Sequence, residues 1–344
     1  MTTYCGVDFH ARQQHVALID TETGEIKVVK LEHKSHEEVR KFYAQLPGPV
    51  VVGLEAGGYS AWFEDLLFEL GHEVKIGNAF EIRKRARSRH KNDRRDAELI
   101  LDLLLKNEFP QIHRPTPESR AIIQKLRHRR RLVRLRVTTC NHLHAICLSA
   151  GVSLKGKILT TRGRLRLEEL PLSPVLDRQR QQWLLLIDSL TRQIKESEQE
   201  LKMLAEKDDL VQRVCTHPGI GYLTGLTIVH TLNPVGRFAN GRKVTAYAGL
   251  DPLDDSSGDR KRVGKISKCG SRLLRFQLIE AAQAAVRYND DLKRVYQKLV
   301  HRRDKARAKV AVARRVLVHA YILLRDEIDF AEFQRRAVAD RSAR

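Results

Sequence analysis

Five cysteines in 344 residues are too few and too scattered to staple a fold or hold zinc. Cys5, Cys140, Cys147, Cys215 and Cys269 include no C-x-x-C pair, which excludes the usual zinc and redox spacings and leaves reduced thiols. Nowhere does an uncharged apolar run approach the roughly 18 residues of a membrane span. The opening Met1-Thr2-Thr3-Tyr4-Cys5-Gly6 lacks the basic start and apolar stretch of a secretory leader. Aromatic residues are only 6 %, and no basic amphipathic helix carries the Trp/Phe face of a peripheral membrane protein. Acid is also short: 42 Asp and Glu stand against 63 Lys and Arg, a formal charge of +21. No internal repeat or low-complexity tract appears. These absences point to a cytoplasmic protein that needs an anionic partner, because such a charge repels itself unless neutralised. Nucleic acid is the leading class.

What is present is enough hydrophobic residue, 42 %, to build real cores, over a length suited to two or three domains. Residues 1–112 alternate strand and helix signals. Strands are expected at Tyr4–Phe9, His15–Asp20, Ile26–Leu31, Val50–Leu54 and Glu73–Ile76, with a Gly-containing turn at Thr21–Gly24. Helices are expected at Ser35–Gln45, Tyr59–Leu70 and Asp93–Lys106, the last with Ala97, Ile100, Leu101, Leu104 and Leu105 on one face. A three-strand meander followed by βαβ units is the outline of a ribonuclease-H-like domain, an order shared by many α/β folds.

Residues 113–208 form a second segment. One long helix is expected from Pro117 to about Ala150, another over Asp177–Asp208, with a glycine- and proline-bearing linker or irregular segment at 151–175 between them. The first helix carries Arg127, Arg129, Arg130, Arg131, Arg134 and Arg136, six arginines in ten residues. Arginine forks suit phosphate, so this helix is a candidate nucleic-acid surface; the alternative is a solvated face. In the second helix Ile187, Ile194 and Leu201 alternate with Trp183, Leu190 and Leu204 over about three heptads. Such a seam joins subunits or packs on the preceding helix.

Residues 209–344 read as helices broken by glycine loops. Gly219 and Gly221 in His217-Pro218-Gly219-Ile220-Gly221 resemble the turn of a helix-hairpin-helix element, where backbone N–H groups face phosphate. A plain tight turn reads the same way.

Four acids stand out by position: Asp8 in the first strand, Glu55 at the end of the apolar strand, and Asp93 and Asp96 sharing a face at a helix start. A carboxylate on a buried strand is costly unless paired or metal-bound. Converging carboxylates repel without a cation, and hard oxygen donors favour Mg²⁺ or Mn²⁺. Each acid alone also suits an ordinary structural role: a paired core acid, a strand-end surface acid, or charges complementing a helix dipole.

Together these words resemble the transposases of the insertion-sequence one-ten family. The N-terminal matches are Gly6-Val7-Asp8, Leu54-Glu55-Ala56-x-Gly58 and Asn92-Asp93-x-x-Asp96-Ala97. The C-terminal matches are Pro218-Gly219-Ile220-Gly221, Ala248-Gly249-Leu250-x-Pro252, Ser257-Gly258 and Ile266-Ser267-Lys268-x-Gly270. The resemblance implies a RuvC-like DEDD domain at 1–112, a basic and coiled-coil region at 113–208 and a C-terminal transposase domain at 209–344. It implies a DNA recombinase guided by a structured bridge RNA, acting on double-stranded donor and target DNA as dimers that assemble into a tetramer. Asp8, Glu55, Asp93 and Asp96 match its Mg²⁺-binding tetrad, and Ser257 its nucleophile, which forms a 5′-phosphoserine link. Ser256 adjoins Ser257, so the register there is open by one residue. Arg260, Lys261 and Arg262 would stabilise charge on the phosphate. Two other readings compete: a metal-dependent RuvC-like nuclease or junction resolvase, and an inactive nucleic-acid-binding protein.

Overall fold

The computed structural model describes residues 2–21, 24–86, 92–154, 158–254 and 263–342. The chain divides into two compact units, Met1–Arg114 and Pro115–Arg344.

The first unit runs β1 (Thr3–Phe9), β2 (Gln13–Asp20), β3 (Ile26–Glu32), α1 (His36–Ala44), β4 (Val50–Glu55), α2 (Ala61–Glu69), β5 (Glu73–Gly77), α3 (Ala79–Lys84) and α4 (Asp93–Leu105). Its strands form one sheet in the order β3-β2-β1-β4-β5. β1, β2 and β3 pair antiparallel, whereas β1, β4 and β5 pair parallel. This is the ribonuclease-H-like order expected from the sequence. The short α3 was not expected.

Side-chain alternation gives the sheet two unlike faces. Cys5, Val7, Val16, Val52 and Leu54 bury against Tyr43 of α1 and Phe63 and Leu67 of α2. The opposite face carries the smallest side chains. Ala17, Gly6 and Gly53 stand in register across β2, β1 and β4, and α4 lies over them. A Cβ on Gly6 would sit 2.3 Å from the Ala97 carbonyl oxygen and 2.4 Å from the Leu101 nitrogen. The missing side chain is therefore what lets the helix backbone touch the sheet. α4 opens at Asn92, whose side chain accepts the Arg94 N–H at 3.0 Å.

The second unit runs α5 (Pro117–Ser149), α6 (Thr161–Glu168), α7 (Pro174–Glu206), α8 (Asp209–Cys215), α9 (Tyr222–Leu232), α10 (Gly241–Tyr247), β6 (Pro252–Asp254), β7 (Val263–Ile266), α11 (Arg272–Tyr288), α12 (Asp290–Arg302), α13 (Lys305–Arg325) and α14 (Phe330–Ser342). α5 and α7 pack along each other: Leu132 meets Leu190 and Ile194, and Leu143 and Ile146 lie with Leu184 and Ile187. The heptad seam of α7 thus packs on the preceding helix.

The segment 151–175 corrects the linker expectation. It contains α6, and Leu154, Ile158 and Leu167 are buried between α5 and α7. Thr160 Oγ1 caps α6 by accepting the Gly163 N–H at 3.1 Å. Pro174 opens α7 at a position where a missing N–H costs nothing. The main core gathers α8, α9, α11 and α13 around Leu226, Leu274, Leu278, Val316 and Leu317. Among the described residues no helix is long and apolar enough to cross a membrane.

Candidate active site

The first unit brings the predicted acids to one end of the sheet, though not all to one point. Asp8 shares a face with Gly6, two residues earlier on β1, and so lies on the α4 side. Ala97 of α4 rests on Gly6, which sets Asp93 and Asp96, in the preceding turn, beside Asp8. Burial raises the Asp8 carboxyl above its usual range; His10 opposes this, and the charges of Asp93 and Asp96 add to it.

Two histidines join the acids, neither of them a site candidate on sequence grounds. His10 Nε2 lies 3.0 Å from Asp8 Oδ2 and 3.6 Å from Asp93 Oδ2. His15 stands directly opposite Asp8 in the β1–β2 pairing, with Nδ1 3.8 Å from Asp93 Oδ2. One ligand atom each from Asp8, His15 and Asp93 fall within 4.8 Å of one another. The pairing of β1 with β2 was the available signal: a tight turn between the strands brings residues 8 and 15 side by side.

Glu55 behaves differently. It ends β4 next to Asp8, but its carboxylate accepts from Arg83 Nη2 at 3.0 Å. It is not one of the residues grouped within 4.8 Å. The donors that do converge are hard carboxylate oxygens plus a buried imidazole nitrogen without a hydrogen-bond partner among the described residues. That set fits a divalent cation. Asp8 and Asp93 would hold it, with His15 beside them and the Asp96 charge close by.

Ser257, with Ser256, Gly258, Arg260, Lys261 and Arg262, lies outside the described residues. The strands flanking them are described. β6 and β7 pair antiparallel, and Ser267 Oγ donates to Asp251 Oδ1 at 2.6 Å. Gly249 and Gly270 interlock the loops before and after this hairpin, both at positive φ. A Cβ would lie 2.0 Å from the Cys269 oxygen at Gly249 and 2.1 Å from the Tyr247 oxygen at Gly270. Beside the hairpin an open groove of about 690 Å³ is lined by Lys265, Lys268, Arg303, Arg307 and Arg314 together with apolar residues such as Leu250, Ile266, Leu299 and Val310.

The predicted arginine helix splits into two kinds of residue. Arg129 of α5 donates through Nε to Glu198 Oε1 of α7 at 2.9 Å. The Arg130 guanidinium lies 3.9 Å over the Phe276 ring of α11. These two serve the fold. Arg127, Arg131 and Arg134 are exposed and share a stripe at i, i+4 and i+7. Gly219 likewise has a packing role: its Cβ would meet Ala285 Cβ at 2.7 Å. Gly221 is exposed at the start of α9.

Residues 5–150 match a family model described as Transposase, of the DEDD IS110 type, and residues 211–297 match one described as Transposase IS116/IS110/IS902 family. The chain is 30 % identical over 290 residues to a probable family 20 transposase of Pseudomonas aeruginosa, covering 80 % of this chain and 84 % of that protein. It is 30 % identical over 286 residues to the transposase for insertion sequence element IS1111A of Coxiella burnetii, covering 78 % and 76 %. It is 32 % identical over 253 residues to the transposase for IS1328 of Yersinia enterocolitica, covering 72 % and 74 %. Relatedness of this depth along most of both chains leaves one conclusion: the chain belongs to the IS110 family of transposases.

Proposed function

We propose that this transposase cuts and rejoins double-stranded DNA through a serine ester, with a structured bridge RNA choosing donor and target, in dimers that assemble into a tetramer. The observation that carries the reading is the convergence of Asp8 and Asp93 at the end of the sheet, with Asp96 near enough for its charge to act on Asp8. A divalent ion held there would bind phosphate oxygens and offset charge developing on them. Asp8 and Asp93 would hold and orient it, and Glu55 would join them if freed from Arg83.

Ser257 Oγ attacks the scissile phosphorus. The Oγ–P bond forms, the P–O3′ bond breaks, the serine proton leaves to solvent or a nearby base, and the 3′ oxygen takes a proton. The cationic groove beside the β6–β7 hairpin supports this assignment, because a DNA strand running to that hairpin would find Lys265, Lys268 and Arg303 along its phosphates.

The test is a covalent trap. A duplex carrying the element's end sequence with a nick close to the cut site, incubated with Mn²⁺ and the protein together with the RNA that copurifies with it, should yield a protein–DNA adduct resistant to boiling in detergent. Ser257→Ala should abolish the adduct, and Ser256→Ala should keep it. Cleavage without an adduct that survives Ser257→Ala would establish the nuclease or resolvase reading instead. Neither cleavage nor adduct would leave a nucleic-acid-binding protein.

The exposed arginine stripe gives a second expectation. Arg127→Ala/Arg131→Ala/Arg134→Ala should weaken binding of RNA or duplex DNA and lower the slope of log affinity against log salt by about 2 to 3. Arg129→Ala should instead lower the melting temperature and leave that slope unchanged, because its guanidinium is engaged with Glu198. An unaltered slope in the triple variant would assign the stripe to solvent.

A further inference from the structure

We infer that His15 is itself a ligand of the divalent cation, through Nδ1, so that the centre is a mixed carboxylate–imidazole site. The inference rests on the reading of Asp8 and Asp93 as metal ligands and deepens it.

Sheet register makes the first argument. Asp8 and His15 are directly paired across antiparallel β1 and β2. Directly paired residues put their side chains on the same face, with Cβ atoms about 5 Å apart. That face is the one α4 covers, so Asp93 closes the triangle from above. The three donor atoms lie within 4.8 Å of one another, near enough to draw in around one ion. Ions of this class bind oxygen and nitrogen at about 2.0–2.2 Å, which spaces adjacent donors at roughly 3 Å and opposite donors at roughly 4.2 Å, so side-chain rotations of about 1–2 Å complete the site.

The hydrogen-bond inventory makes the second argument. His15 Nδ1 is shut off from solvent and has no hydrogen-bond partner among the described residues. Its approach to Asp93 Oδ2, 3.8 Å, is too long for a hydrogen bond. Buried polar atoms of folded proteins are almost always satisfied, and an exception calls for a missing partner. A cation between His15, Asp8 and Asp93 is that partner. His10 does not compete for the role. Its Nε2 is already bonded to Asp8 Oδ2 at 3.0 Å, and its side chain is 35 % exposed.

An imidazole donor has a consequence for metal choice. Nitrogen suits transition ions, whereas Mg²⁺ prefers oxygen and keeps its waters. Mn²⁺ should therefore bind more tightly than Mg²⁺.

Pulsed electron paramagnetic resonance of the Mn²⁺-loaded full chain reads the ligand directly. The wild type should show ¹⁴N modulation from a coordinated imidazole. His15→Gln should lose it and bind Mn²⁺ at least about 10-fold more weakly by calorimetry, with Mg²⁺ affinity changed less than about threefold. His10→Gln should keep the ¹⁴N signal. Circular dichroism of each variant guards against misfolding. Mn²⁺ binding that Asp8→Asn abolishes, with no ¹⁴N signal in the wild type, would overturn the His15 ligand and spare the acids. A ¹⁴N signal that survives His15→Gln would overturn it too. Mn²⁺ binding untouched by Asp8→Asn and Asp93→Asn would overturn both readings.

Discussion

Asp8→Asn is expected to slow DNA strand cleavage by about 10³-fold or more and to leave the protein folded. Holding a cation against a phosphate contributes several kcal/mol of charge stabilisation, and each 1.36 kcal/mol is roughly tenfold in rate. An amide keeps the shape of the carboxyl but gives the ion one neutral oxygen. Folding should not suffer, for an electrostatic reason. Burial raises the Asp8 carboxyl, and Asp93 and Asp96 raise it further against the opposing pull of His10. For an acid, a raised value in the folded state means that the charged form is the disfavoured one. Without a cation, stability is then lost as pH rises through the carboxylate range, and Asn removes that loss. The melting temperature of the metal-free variant at neutral pH should equal or exceed that of the wild type. Adding Mn²⁺ should raise the melting temperature of the wild type only, since a ligand stabilises the state that binds it. Cleavage of a labelled duplex and paired melts with and without Mn²⁺ make the measurement. Cleavage within tenfold of wild type would remove Asp8 from the reaction.

How much of this was legible in the sequence differs from element to element. The central strands were, because Val50–Leu54 is a run of apolar residues and Tyr4–Phe9 leads into a polar turn. The acids were legible by position: Asp8 and Asp93 come together, and the Asp96 charge acts on Asp8. α3 was not, since six residues are too few to show a helical period. Its one sign was Asn78, which accepts from the N–H groups of Phe80 and Glu81. α6 was hidden by Gly163, which reads as a breaker but is buried inside that helix. The heptads of α7 were visible, but sequence periodicity does not say whether the partner helix belongs to the same chain. His15 escaped notice because its meaning lies in register. Residues 8 and 15 become neighbours only once the turn between β1 and β2 is fixed. The arginine helix misled in part: sequence shows charge density, whereas only packing shows that Arg129 and Arg130 are already engaged.

Gly6→Val is expected to damage the first unit severely, and to lower metal affinity as well as stability. The new Cβ would lie 2.3 Å from the Ala97 oxygen and 2.4 Å from the Leu101 nitrogen. Both are backbone atoms of α4, so no side chain can swing aside and the helix itself must move. Overpacking a core costs typically 1–3 kcal/mol when side chains can adjust. Here the upper end or more is expected, and at about 4 °C per kcal/mol, between the ranges for smaller and larger domains, the melting transition should fall by about 10 °C or more. Gly53→Ala makes a graded comparison. Its Cβ would meet Leu104 Cδ1 at 2.8 Å, the far end of a flexible side chain. It should cost about half as much. Gly58→Ala meets nothing within 4 Å and should cost little. The metal measurement separates this account from simple loss of packing. Asp93 and Asp96 ride on the first turn of α4, so any shift of that helix off Gly6 draws them away from Asp8 and His15. Mn²⁺ affinity, measured by calorimetry below the melting transition, should therefore decline in the same order as stability: Gly58→Ala, then Gly53→Ala, then Gly6→Val. A Gly6→Val protein that melts within about 2 °C of wild type and binds Mn²⁺ equally well would mean that α4 is not seated on the sheet through that glycine.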